Sequence, residues 1–517
     1  MRNTVLTCLL AALALLMPAP AAAQGMFVPT DTAVRRGTLP NGLAYYVRRN
    51  AQPSGRADFH LVLKAGSMQE EDSERGVALF VARMGLTSTA HFPAGALNAY
   101  CASLGVKEDD GLDYAVSYDQ TLYHLVNIPV GRPATVDSCL LILRDWAGDI
   151  RFGADEVETA RCLVRQAQAH FPSGLQRICM RHLTTLYSGS RYAERLPAGL
   201  ASVVDTCGPA TLRAFCERWY RPDLLGVVVV GDVDPDAVAS TIQYLFDDLD
   251  MPERPTPVLA YPVPDNVRPI YVADSDSTVR EPLFRVSFKI PAYPDSLKGA
   301  VAYLGMQFLK HAAIRMLNDR LSQAQLQAGC PFVEASSSIM PYGEAKTKDA
   351  LVLTIKARPG AETAALRAVL GEVERIKRDG FTIREYDRTR RELMEQLEAR
   401  RNNRVRLNNG FFAQQCIDHF LRGEPLVSTA DHYSLMKQFT PMMPVDAVSR
   451  LFARIVARTD TNFVVTAFYP ATEGANRPSV DELRRAVANA ATTLPDPYVD
   501  PRDDGPLGPS PDAPAGP

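Results

Sequence analysis

The sequence predicts an α+β protein of two tandem, structurally similar domains, each a mostly antiparallel sheet packed by helices. Three observations carry this reading. The 517-residue chain, 46% hydrophobic, exceeds the roughly 250–300 residues at which a single core stops growing. A proline-rich stretch poor in helix formers, Met251 to Asn266, divides it. The same order of elements (strands, helices, a closing strand, a final helix) is read on both sides of that stretch, although residue identity between the halves is weak. The expected layout is a signal peptide over 1–23, a first domain over 33–250, a linker over 251–267, a second domain over 268–493, and a disordered Pro-rich tail over 494–517.

In the first half, Gly37 to Gly42 is turn chemistry and is followed by two runs of strand character, Leu43 to Val47 and Asp58 to Leu63, read as a hairpin opening a sheet. Apolar residues at helical spacing predict helices over Glu74 to Met84 and Ala94 to Leu104, and Leu122 to Val130 returns to strand. Helices follow over Thr135 to Asp149, Ala154 to His170 and Pro209 to Trp219. Gly226 to Asp234 reads as a buried strand ending in a turn, and Pro235 to Leu249 as an amphipathic helix. The second half offers strands at Pro269 to Val272, Leu283 to Ile290 and Ala350 to Ala357. Its helices are read at Leu297 to Leu321, Ala361 to Asp379 and Ile383 to Arg401, before a closing strand, Asn462 to Tyr469, and a last helix, Val480 to Ala491.

A formal net charge of −3 with 22% charged residues of mixed sign supplies no basic face for nucleic acid or anionic lipid. Arg2, the apolar run Val5 to Met17 and the small residues Ala21 to Ala23 have the form of an export signal, which places the mature chain in the periplasm or cell envelope. No stretch approaches the roughly 20 apolar residues of a membrane span. Beyond Cys8, eight widely spread cysteines form no C-x-x-C knots. Most are expected as buried fillers, with one or two disulfides open and their pairing unreadable.

Several motifs, in order and spacing, carry a resemblance. They are Leu39-Pro40-Asn41-Gly42-Leu43; Gly66-Ser67 with Glu70-Glu71; Gly76 to Met84 with Thr87-Ser88-Thr89; Trp219 to Asp223; and the strand Val227 to Asp234. Together they resemble the pitrilysin/insulinase family of inverzincin metallopeptidases, and the similarity runs over nearly all of Gly37 to Leu494. The resemblance implies half of a peptidase clamshell. It also implies a zinc site made of an H-x-x-E-H helix and a glutamate from a second helix.

That chemistry needs two imidazoles four residues apart, a carboxylate to deprotonate the metal-bound water, and a third ligand. In the alignment Leu79 stands at the first histidine, Ala82 at the glutamate and Arg83 at the second histidine. Ala167 stands at the third ligand, in the stretch Ala160 to Ala167. Leucine and alanine offer no lone pair, and arginine stays cationic. The expectation is a pseudoenzyme with neither catalytic residues nor a zinc cofactor. Cys179-x-x-His182, His91, His124 and His170 are assigned structural or surface roles. Arg83 itself invites the hypothesis that its guanidinium replaces the ion's charge, pairing with a local carboxylate.

Active relatives pair substrate with an edge strand of Asn-Ala-x-Thr/Ser pattern. The aligned stretch here is Leu112, Asp113, Tyr114, Ala115, Val116 and Ser117, a candidate peptide-binding edge that keeps strand character and loses the asparagine and alanine. By resemblance, the expected role is a non-catalytic partner or peptide-binding subunit of an exported zinc peptidase. A free-standing peptide-binding or scaffold protein is the alternative. An active peptidase with a relocated site ranks last, because no new nucleophile or metal cluster is read.

Overall fold

The computed structural model describes residues 26–502 apart from 109, 171–172, 404–405, 493–495 and 501. The signal-peptide reading over 1–23 and most of the tail lie outside the described residues. Strands β1 (Val34–Thr38), β2 (Ala44–Arg49), β3 (Arg56–Leu63), β4 (Leu112–Val116), β5 (Thr121–Pro129) and β6 (Leu225–Gly231) form a sheet in the order β1-β2-β6-β3-β5-β4. Strands β7 (Ile270–Asp276), β8 (Leu283–Pro291), β9 (Phe332–Pro341), β10 (Lys348–Ala357) and β11 (Phe463–Pro470) form a second sheet in the order β7-β11-β8-β10-β9.

The two sheets share one plan. In each, the closing strand slots between the first two strands of the five-strand unit, parallel to one (β2 with β6, β7 with β11) and antiparallel to the other (β3 with β6, β8 with β11). This corrects the hairpin expected of Leu43 to Val47 and Asp58 to Leu63. The Leu39–Leu43 turn joins β1 to β2, and β6 separates β2 from β3. All seven residues of β6 are buried. An uninterrupted valine run is therefore the pattern of a central strand covered on both faces.

Helices α1 (Val77–Thr87), α2 (Ala96–Ser103), α3 (Pro133–Gly148), α4 (Ala154–His170), α5 (Gly174–Arg181), α6 (Leu183–Leu186), α7 (Ala201–Thr206), α8 (Pro209–Trp219) and α9 (Pro235–Phe246) belong to the first half. The second half contributes α10 (Val301–Gln325), α11 (Glu362–Asp379), α12 (Ile383–Asn402), α13 (Asn409–Arg422), α14 (Thr429–Phe439), α15 (Val445–Ile455) and α16 (Val480–Thr492). The first core joins Phe59, Leu61 and Leu63 of β3 to Phe80 and Met84 of α1 and Trp146 of α3. The opposite face of the same sheet, with Tyr46, Val62, Val228 and Val230, is covered by Phe412, Cys416, Ile417 and Phe420 of α13. A helix that falls inside the expected 268–493 domain thus closes the sheet of the other half.

The second core lies among β8, β10, β11, α10, α11 and α15. Arg320 of α10 is buried there, its guanidinium bidentate on Glu385 at 2.7 Å for both bonds and also donating to Glu372 at 3.1 Å. The Tyr498 ring lies 3.9 Å from that guanidinium. Asp500 is 2% exposed and is paired with Arg388 and Arg502. The tail residues 496–500 and 502 therefore depart from the disorder expected of 494–517, because a ring and a carboxylate meet a cluster of guanidiniums.

Candidate functional site

Helix α1 is set against the sheet by two devices. Gly85 lies where a Cβ would come within 2.9 Å of the Tyr123 ring and 3.2 Å of Trp146, so only glycine lets those stacked rings (centroids 5.0 Å apart) approach the helix. Trp146 Nε1 then donates to the Gly85 carbonyl at 2.9 Å. At the helix start, Gly76 has φ of +109° and meets Gly199, whose own Cβ would fall 2.1 Å from the Gly76 Cα. The Glu70 carboxylate accepts from the Ala78 N–H at 2.9 Å, which satisfies one of the open amides of the first turn. Burial pushes the Glu70 carboxyl up to about 8, against the pull of those amides and of Arg195.

On this scaffold Leu79 is partly buried and packs on the first core, and Ala82 is fully buried. Arg83 turns toward the rim. Its Nη1 donates to Glu108 Oε1, while Glu108 Oε2 accepts from Asn98 Nδ2 of α2 at 3.1 Å. The Arg83 and Glu108 side chains are 12% and 28% exposed. Burial raises the neighbouring Tyr114 hydroxyl, and the Arg83 charge acts against that rise. Helix α4 packs against α1 through Val157, Ala160 and Val164, and Ala167 is exposed on the following turn.

These four positions present methyl and isobutyl groups and one guanidinium, none of which donates a lone pair to a metal. The residues present do not fit a zinc ion. Among the described residues, no group of three or more His, Cys, Asp or Glu side chains is gathered so as to hold a metal.

The other histidines have protein partners or lie apart. His182 Nε2 is 3.0 Å from Asp274 Oδ2, and His91 Nδ1 is 2.7 Å from the buried Asp145 carboxylate. The His170 side chain lies outside the described part of the structure. His124 lies on β5 opposite His60 of β3, with ring centroids 6.0 Å apart. His60 escaped the sequence reading. It is buried on the face that also carries Val62 and Val228, neither ring nitrogen has a hydrogen-bond partner among the described residues, and burial lowers it to about 3. Nothing in a lone histidine within an alternating strand signals this. All eight cysteines beyond Cys8 are free thiols.

Strand β4 lies at the edge of its sheet, and Ser117 falls beyond it in the turn to β5. Ser117 N–H donates to Gln120 O at 2.9 Å and Val126 N–H to Gly111 O at 2.7 Å. With Asp113 opposite His124 and Ala115 opposite Leu122, this makes the odd-numbered residues the hydrogen-bonded partners of β5. Leu112, Tyr114 and Val116 therefore aim their backbone groups outward, along the free edge.

Two neighbouring stretches match a single family. A sequence profile described as insulinase (peptidase family M16) fits residues 45–199, and one described as the peptidase M16 inactive domain fits residues 207–393. The chain belongs to the M16, or insulinase, peptidase family. Relatives include the zinc protease PQQL-like of Arabidopsis thaliana, 26% identical over 90% of this chain and 45% of that protein. The probable zinc protease PqqL of Escherichia coli is 23% identical over 89% of this chain and 48% of that one. This M16 chain thus spans about half the length of the curated relatives it matches.

The crystal structure of the first half of the periplasmic protease PqqL from Escherichia coli superposes with a TM-score of 0.82 at 21% identity, covering 92% of this chain and all of that one. A peptidase M16 inactive domain from Pseudomonas fluorescens gives a TM-score of 0.64 at 16% identity, over 86% of this chain and all of that one. The shared fold is half of the PqqL clamshell. Among the described residues no helix is long and apolar enough to cross a membrane.

Proposed function

We propose that this M16 chain is catalytically silent and acts as a peptide-binding partner subunit of a zinc-bearing peptidase of the same family, exported to the periplasm or cell envelope. One observation carries the reading: the helix that would bear both histidines and the general base instead places Leu79, Ala82 and Arg83 there, with Arg83 spent on Glu108. The guanidinium puts a fixed positive charge near the position a metal would take, and it needs no cofactor to hold α1 to the 107–108 segment. The structural match to the first half of PqqL supports a role beside a second, zinc-bearing half. The periplasmic PqqL relative and the export signal read in the sequence support the location.

The experiment is affinity purification of the tagged chain from its native host, followed by cleavage of an unstructured peptide mixture. The expected result is co-purification of a relative carrying H-x-x-E-H, with chelator-sensitive cleavage only in the fractions that contain it. Recovery of the chain alone, binding extended peptides without turnover, would favour a free-standing peptide-binding protein instead.

A further inference from the structure

Beyond loss of catalysis, the free edge of β4 carries its own obstruction. The amides of Asp110, Gly111 and Leu112 converge on the Lys107 carbonyl at 3.3, 3.0 and 3.1 Å, a tight turn that folds the 107–108 segment back along the strand. There Glu108 makes a parallel bridge to Leu112. One position on, the outward N–H of Tyr114 is taken by the Asp113 carboxylate at 2.7 Å. Two of the three outward amides of β4 are thus satisfied from within the chain. No comparable partner stands at Val116 among the described residues. The turn is pinned by its Glu108 carboxylate, held between Arg83 of α1 and Asn98 of α2.

We infer that Lys107 to Glu108 and the Asp113 carboxylate form an internal plug on the β4 edge, that Arg83 positions this plug through Glu108, and that the plug restricts addition of an extended peptide strand to the Val116 end. The inference rests on the peptide-binding reading of the edge and specifies its regulation. A peptide adding as a strand exchanges main-chain hydrogen bonds with outward N–H and C=O groups in alternation. An amide already bonded offers nothing to the incoming chain, and a carboxylate at Asp113 turns its lone pairs against incoming carbonyl oxygens. The aligned asparagine of active relatives carries an amide in place of that carboxylate. Because Arg83 is pinned to Glu108 and not to the edge itself, it is a positioning residue.

The test uses the whole mature chain in three forms, wild type, Glu108→Gln and Glu108→Gln/Asp113→Ala, with thermal melts to establish that each is folded. Two readouts are taken. Amide hydrogen exchange should quicken at least about tenfold at Leu112 in Glu108→Gln, and at both Leu112 and Tyr114 in the double variant, as locally closed amides are opened. A fluorescein-labelled, ten-residue Thr/Val-rich peptide should bind the double variant about tenfold more tightly than wild type, since two further backbone positions become available.

Unchanged exchange at Leu112 and Tyr114 in the folded variants would overturn the plug. Faster exchange with no gain in peptide affinity over a measurable wild-type value would overturn its gating role while leaving the peptide-binding reading intact. If no form binds the peptide, the peptide-binding reading and the gating role both fall, and exchange still reports whether the two amides are closed by this segment.

Discussion

The two halves carry the same five-strand plan, and each edge strand is guarded differently. At β9 the guard is a helix side chain: Asn318 of α10 donates to the Ser337 carbonyl at 3.0 Å and accepts from the Ser337 N–H at 2.6 Å, pairing with the backbone as a neighbouring strand would. At β4 the guard is the strand's own flanking turn and Asp113, tied back to α1 through the partly exposed pair Arg83–Glu108. The ion pairs differ in the same sense. Arg320 and its partners Glu385 and Glu372 are 1%, 2% and 7% exposed, whereas Arg83 and Glu108 lie at 12% and 28%. The Arg320 cluster is buried with its guanidinium fully engaged, whereas the Arg83–Glu108 pair lies at a partly exposed rim.

The largest effect belongs to the buried Arg320 cluster. Arg320→Met leaves Glu385 and Glu372 buried without their cation, and the expected loss of unfolding free energy is about 3–5 kcal/mol by denaturant titration. A loss below that of Arg83→Ala would erase the distinction between the two pairs. Next is the acid response of the α13 seam. His60 is neutral and buried in the folded chain, with its titration lowered to about 3, while the unfolded chain takes up its proton near the ordinary value of 6.5.

The unfolded state thus binds more protons as pH falls below 6.5, so stability is fully present above that point and is lost on the way down to about 3. Between pH 7.5 and 5.0 the loss from His60 is about 2 kcal/mol, and the lowered His124 acts in the same direction. His60→Leu should flatten that slope in urea midpoints measured at the two pH values.

Asn318→Ala strips both partners from the Ser337 backbone. It should cost roughly 1–2 kcal/mol and quicken exchange at Ser337 alone, which sharpens the comparison with the Leu112 and Tyr114 amides. The smallest effect is expected for Arg83→Ala, about 1 kcal/mol for a pair at the rim, read as a lowered thermal midpoint. An unchanged midpoint would remove its structural role.

Much of this was legible in the sequence, for physical reasons that also mark the limit. The valine run of β6 and the amphipathic spacing of α3, α4 and α8 are local patterns, and local patterns report burial. They do not report what does the burying. Phe412, Cys416, Ile417 and Phe420 give α13 an apolar face, yet nothing local says that the face docks across the chain on the other half's sheet. The insertion of β6 between β2 and β3 is likewise a long-range pairing.

At the candidate site, the chemistry of Leu79, Ala82, Arg83 and Ala167 is read directly from residue type once the positions are aligned. The partner of Arg83 is not, because Glu108 lies 25 residues away beyond an intervening helix. Tyr498 and Asp500 sit in a composition that reads as disorder, and their docking depends on Arg320, Arg375 and Arg388, far away in sequence.

The central claim, that α1 and α4 hold no zinc, is met most directly by elemental analysis of the purified mature chain after brief exposure to zinc and desalting. The expected result is zinc well below one ion per chain, unchanged in an Arg83→Ala variant. One tightly held zinc per chain, with chelator-sensitive cleavage of an unstructured peptide mixture, would contradict it.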